Sequence, residues 1–239
     1  MSTRPSLDWR FWVLTLAALV SVGATLALGG WQLSRAAYKE ALQAQTDAQR
    51  RLAPLDGSSL RNPGPVVHRQ VVLRGTWLAA HTVFLENRQM NGKPGFYVLT
   101  PLQIEAGGPV VLVQRGWAPR NFVDRAELPK VETPAGPVAL QGRIAPAPSK
   151  LYDFMGAASG PIRQNLDLPR FSAEIHQPLL DVTVVQTGEA SDGLLRQWAE
   201  PATGVEKHYG YAFQWFGLSG LITILYVWFQ IVRRFLLPS

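Results

Sequence analysis

Tyr211–Val232 reads YAFQWFGLSGLITILYVWFQIV, an uncharged stretch with Gln214 and Gln230 near its two ends. About 20 consecutive apolar residues match the hydrocarbon thickness of a bilayer, so this run predicts a membrane-crossing helix. Trp215 and Trp228 stand a few residues in from either end, where amphipathic rings favour the interface. The competing reading is the buried core helix of a soluble protein. Such a core rarely offers so long an uncharged helix at a chain terminus.

A second run stands at the other end of the chain. Phe11–Gly29, FWVLTLAALVSVGATLALG, is 19 residues without a charge, about 28 Å as a helix. A cleaved signal peptide competes here, but the apolar stretch exceeds a usual signal core, which favours an uncleaved anchor. Arg4 and Arg10 precede this span and Arg233 and Arg234 follow the other, against Asp8 alone. The positive-inside rule then puts both termini in the cytoplasm, although Arg35, Lys39 and Lys207 on the inner flanks moderate the bias. The expected division is 1–10 cytoplasmic, 11–30 first span, 31–210 extracytoplasmic, 211–232 second span and 233–239 cytoplasmic. Ten residues before the first span are too few for a mitochondrial transit peptide. The expected location is a bacterial inner membrane.

Between the spans the texture changes. Trp31 to Gln49 is rich in Ala, Leu, Gln, Lys and Glu, good helix formers that extend the first helix as a stalk. Pro54, Gly57, Pro63, Gly64 and Pro65 mark a loop. Short β-branched runs follow: Val66 to Trp77, Thr82 to Arg88, Phe96 to Leu102, Val110 to Trp117, Val138 to Ile144 and Val182 to Thr187. Val110 to Val113 is continuously apolar, as suits a strand buried on both faces. Asn91–Gly92 is a strong hairpin signal. Leu168 to Leu180 predicts a helix, with Asp167 at its start and Pro169 in its first turn. The fold class expected is two transmembrane α-helices flanking a mainly antiparallel β domain, a small barrel or sandwich, with one or two helices.

Composition narrows the chemistry. The chain has 239 residues, a net charge of +6 and no cysteine, which excludes disulfides, thiolate metal sites and iron–sulfur clusters. The positive charge is not gathered into a run of nucleic-acid type. No G-x-S-x-G, H-E-x-x-H, GxGxxG or Walker loop occurs, so the reading is of a protein that is not an enzyme. Of the four histidines, His68 and His81 lie in or beside strands and His176 lies in the expected surface helix.

His208 stands apart, three residues before the second span. Helical spacing puts Tyr211, Ala212, Trp215, Leu218 and Ser219 on its face. An imidazole above an aromatic stripe at a membrane surface can ligate a haem iron; it can equally hydrogen-bond lipid headgroups or water. Arg35 and Lys39 are one turn apart. With Lys207 they can pair with haem propionates or simply snorkel to the interface. Both readings stand on the residues alone.

Four blocks then carry a resemblance: LGGWQLSRAAYKEAL (Leu28–Leu42), GKPGFYVLTPL (Gly92–Leu102), VLVQRGWAP (Val111–Pro119) and HYGYAFQWFGL (His208–Leu218). In this order between two terminal spans, the chain resembles the Surfeit-locus (Surf-one) family of cytochrome c oxidase assembly factors. The resemblance covers nearly the whole chain. It implies binding of haem a with His208 as the iron ligand, and delivery to the oxidase catalytic subunit, with haem A synthase as a further partner. On that implication Arg35, Lys39 and Lys207 are propionate partners, and Tyr211 and Trp215 are haem contacts. A cofactor-free scaffold for an oxidase intermediate is the alternative. Glu206, Lys207 and Gln114 stand where the family often has asparagine. Gly95 reads as a turning point at the start of a strand, Arg115 as a buried pairing group and Trp117 as a core filler.

Overall fold

The computed structural model describes residues 8–61, 67–105, 108–124, 127–151, 160–198 and 204–236. Arg4, the loop residues Pro63, Gly64 and Pro65, and the expected strand start at Val66 lie outside them. The chain divides into two units, one from Met1–Ala44 with Pro201–Ser239 and one from Gln45–Glu200.

The first unit is a pair of helices. Helix α1 runs Trp9–Arg51, so the first apolar run and the expected stalk are one continuous helix. Helix α3 runs Val205–Tyr226 and winds on as a π-helix over Val227–Leu236. Both are long and apolar enough to cross a membrane. Their large apolar side chains point outward: Trp12 is 59%, Leu19 66% and Phe213 79% exposed. A helix at a protein core would bury these residues, so the outward face suits lipid. Contacts Asp8–Arg234 at 2.8 Å, Thr15–Tyr226 at 2.8 Å and Glu40–Tyr209 at 2.9 Å run in opposite order along the two helices, which are therefore antiparallel. What they bury against each other is small: Thr25, Gly29 and Ala36 on α1, Ala212 and Ser219 on α3. Small residues let two backbones approach where the hydrophobic effect gives no drive, as in a bilayer.

The second unit is a β domain. Its strands are β1 Leu55–Asp56, β2 Gln70–Trp77, β3 Val83–Met90, β4 Lys93–Ile104, β5 Val110–Pro119, β6 Val138–Ala145, β7 Ile162–Arg163 and β8 Leu179–Gln186. All six expected runs are strands, with ends shifted by a few residues. The pairings β2–β6, β6–β8, β8–β5, β5–β4 and β4–β2 return to their start and close a five-stranded barrel. Strand β4 makes closure possible. Its first part pairs with β3, and its last residues, Leu102 to Ile104, pair with Trp77 to Gly75 of β2. The ladder is mainly antiparallel, but β5–β8, β1–β2 and β3–β7 are parallel. Asn91 and Gly92 both have positive φ, 52° and 75°, as a two-residue hairpin between β3 and β4 requires.

Burial explains the layers. In β2, Val71, Leu73 and Trp77 alternate inward, the period of a strand with one buried face. In β5 every residue from Val110 to Ala118 is buried. Val111 and Val113 join the barrel core with Leu73, Leu102, Leu140 and Ile144. Leu112 points the other way, into a second core with Leu85, Leu99, Leu168 and Phe171. Each such aliphatic side chain contributes about 1.5–3 kcal/mol by leaving water, so β5 anchors both cores.

Helix α2 is shorter than expected. It runs Leu168–Glu174, capped by Asp167, whose carboxylate accepts from the Arg170 N–H at 3.2 Å. His176 is in the left-handed region at φ 53° and lies past the helix, and Leu179 already begins β8. The cause is Pro178, which disfavours helical backbone at Gln177 and lacks the N–H a helix needs. The Ser172 hydroxyl closes the end, donating to the Gln177 carbonyl at 2.6 Å and accepting from the Leu179 N–H at 3.2 Å.

Candidate functional site

Helix α3 opens at Gly204, whose φ of 60° admits the chain from a left-handed turn, and His208 falls in the first turn. The inward stripe continues His208, Ala212, Trp215 and Ser219, with His208 and Trp215 half-buried and the two small residues buried. Tyr211 and Leu218 were expected on this face. They are exposed instead, because the stripe centres on Ala212 and Ser219 and a 100° turn per residue puts both on its flank.

Opposite His208 stands a residue the sequence reading passed over. Nδ1 of His208 lies 2.7 Å from Oε1 of Gln32 on α1. Gln32 is half-buried, on the face of α1 that carries Gly29 and Ala36. A Cβ at Gly29 would lie 2.7 Å from the ring of Phe216, so the absent side chain is what lets that ring lie against α1. The only signal in the sequence was an amide standing between the small residues Gly29 and Ala36.

The expected cations separate. Lys39 is half-buried, and its Nζ lies 3.7 Å from where a Cβ on Gly204 would be, so it stands beside the first turn of α3. Arg35 is exposed, its guanidinium 5.6 Å from the centre of the Trp31 ring. Lys207 is exposed. Glu40, also unanticipated, accepts from the Tyr209 hydroxyl at 2.9 Å. The site therefore holds one imidazole with an occupied Nδ1 and one lysine beside the same first turn of α3. Among the described residues no three His, Asp or Glu side chains gather to hold a metal ion.

The β-domain blocks have a different use. Arg115 on β5 is wholly buried and donates to the Thr133 hydroxyl at 2.7 Å, the Glu132 carbonyl at 2.7 Å and Asp192 at 3.1 Å. Its guanidinium also lies 4.7 Å from the centre of the Trp77 ring. Burial pulls the guanidinium below its ordinary pKa, and Asp192 opposes that pull. Asp192 contacts a second buried guanidinium, Arg196, at 3.4 Å, and Arg196 in turn donates to the Arg115 carbonyl at 2.8 Å. The expectation of a buried, paired Arg115 therefore holds. Trp117 fills the core as expected, and its indole N–H donates to the Arg88 carbonyl at 2.9 Å. Gly95 is not a turning point. It lies within β4 opposite Pro119, and a Cβ there would overlap the Ala118 carbonyl oxygen and lie 2.5 Å from the Trp117 ring. Close packing, not backbone freedom, demands glycine.

The model of the SURF1 family matches residues 19–220. A "SURF1-like protein" of Rickettsia felis is 27% identical over 224 residues, covering 89% of this chain and 94% of that protein. One of Drosophila melanogaster is 25% identical over 232 residues, covering 88% and 75%. The "Cytochrome oxidase assembly protein SHY1" of Saccharomyces cerevisiae is 30% identical over 93 residues, 38% of this chain and 24% of its own length.

Proposed function

The chain belongs to the SURF1 family, and from that premise we propose that it is an assembly factor for cytochrome oxidase, the role named in its yeast relative. The finer reading is that it holds haem a at the membrane surface and passes it to the oxidase catalytic subunit. Haem A synthase is the natural source. Haem a is cargo in this scheme, and the protein does no chemistry on it.

The observation that carries the haem reading is the donor set. A His208 that donates from Nδ1 to the Gln32 oxygen would keep on Nε2 the lone pair that an iron ligand needs. Nε2 has no hydrogen-bond partner among the described residues. The residues fit an iron ligand. Lys39, beside the first turn of α3, supplies a cation suited to a propionate carboxylate; Arg35 and Lys207, exposed on their helices, and the rings of Trp215 and Tyr211 are proposed as further haem contacts. The intact chain, purified from cells that make haem A, should carry haem a in near-stoichiometric amount, read from its Soret band. A colourless chain that still co-purifies with oxidase subunits would replace the carrier by a cofactor-free scaffold.

The same reading sets the protein in a bacterial inner membrane, with both termini cytoplasmic and the barrel domain outside. Arg233 and Arg234 just past the apolar span 211–232, with Arg10 just before the span 11–30, support it. Reporter fusions after Ser239 should signal the cytoplasm, and fusions at Gly136 the far side. A cytoplasmic signal from Gly136 would reverse the orientation.

A further inference from the structure

A ligating histidine needs more than a location; it needs its lone pair on the correct nitrogen. Neutral imidazole carries one N–H, and in water the proton favours Nε2. That tautomer would leave Nδ1, the nitrogen nearer the backbone, as the only donor to a metal. The geometry at the head of α3 selects the opposite form. An amide oxygen faces Nδ1 at 2.7 Å, and an oxygen acceptor requires the ring nitrogen to be the donor.

We propose that Gln32 is a positioning residue that fixes His208 as the Nδ1–H tautomer and so presents Nε2 to the ligand. The identity of that ligand rests on the haem reading above; the tautomer does not. The device is built into the helix pair. Gln32 reaches across because the seam around it is made of small residues, Thr25, Gly29 and Ala36 on its own helix and Ala212 on the other. Rotation of α3 is fixed on either side of the contact, by Tyr209 on Glu40 and by the Phe216 ring against Gly29. In this packing Gln32 is the group that Nδ1 of the ring meets. An outer partner of this kind also makes the opposite nitrogen a better electron donor, and losing one typically costs about 10–100-fold in metal affinity.

Two substitutions separate this role from plain packing. Gln32→Met keeps an unbranched side chain of similar length but has no oxygen acceptor. Gln32→Glu keeps the oxygen and strengthens it with charge. The chain has only four histidines, so a sample labelled with 15N in histidine gives few ring signals, and His208→Ala assigns the relevant pair. In haem-free intact chain in detergent, at a pH that keeps the ring neutral, wild type and Gln32→Glu should show Nδ1 protonated and Nε2 bare. Gln32→Met should move the proton to Nε2. Haem titration of the same samples should then show about 10–100-fold weaker binding by Gln32→Met and retained binding by Gln32→Glu, with a lower midpoint potential. A wild-type ring protonated on Nε2, or a Gln32→Met ring unchanged from wild type, overturns the proposal. So does a Gln32→Met chain that binds haem as tightly as wild type. If the ring signals behave as stated and wild type takes up no haem, the positioning role stands and the haem reading falls.

Discussion

Gly95→Ala should lower the melting temperature of the domain by about 6–12 °C, corresponding to about 3 kcal/mol for a chain of this size. The added methyl would overlap the Ala118 carbonyl oxygen on the paired strand and press on the Trp117 ring. Neither neighbour can give way cheaply. The carbonyl belongs to the β4–β5 ladder, where Gly95, Phe96 and Tyr97 face Pro119, Ala118 and Trp117. Trp117 is buried and tethered through its N–H to the Arg88 carbonyl. Relief therefore means parting two strands that both cores depend on. Gly136→Ala is the control, because a Cβ there meets nothing within 4 Å, and its melt should be unchanged. Thermal unfolding followed by circular dichroism reads both; a wild-type melt for Gly95→Ala would show that the strand pair is looser than its geometry indicates.

Asp192→Asn should cost about 3–5 kcal/mol, the range for leaving a buried charge without its partner. Among the described residues this carboxylate is the one that contacts both Arg115 and Arg196, whose side chains are 0% and 4% exposed. Asparagine keeps the shape and tolerates the left-handed backbone, φ 59°, that Asp192 adopts. The substitution thus removes charge and little else. Arg115→Met should cost less, because Asp192 is itself a quarter exposed and keeps Arg196. Equilibrium unfolding in urea orders the two; the reverse order would mean that hydrogen bonds from Arg115 to Glu132 and Thr133 matter more than charge pairing.

The β domain was legible because its signals are local. Val110 to Val113 is apolar without a break, and β5 is indeed buried on both faces. Asn91–Gly92 names its own turn. Barrel closure was not legible, since it depends on β4 exchanging β3 for β2 partway along, a matter of register that no window of residues carries. Helix α2 is shorter than Leu168 to Leu180 because Asp167 and Pro169 mark only its start, while Pro178 ends it. The site divides in the same way. The face of His208 follows from helical spacing, so its neighbours Ala212 and Trp215 could be read along one element. Gln32 is 176 residues away, and only the rotation of two packed helices brings it to Nδ1. Asp192, 77 residues from Arg115, escaped for the same reason.

The proposal that His208 ligates the haem iron is decided by the absorbance spectrum of intact His208→Ala, purified beside wild type from cells making haem A. The substitution lies in the first turn of α3 and introduces a good helix former, so insertion and barrel folding should survive. Wild type should show a Soret band that is lost or strongly shifted in His208→Ala and unchanged in His68→Ala, His81→Ala and His176→Ala. A His208→Ala chain with full haem content and wild-type absorption would contradict it.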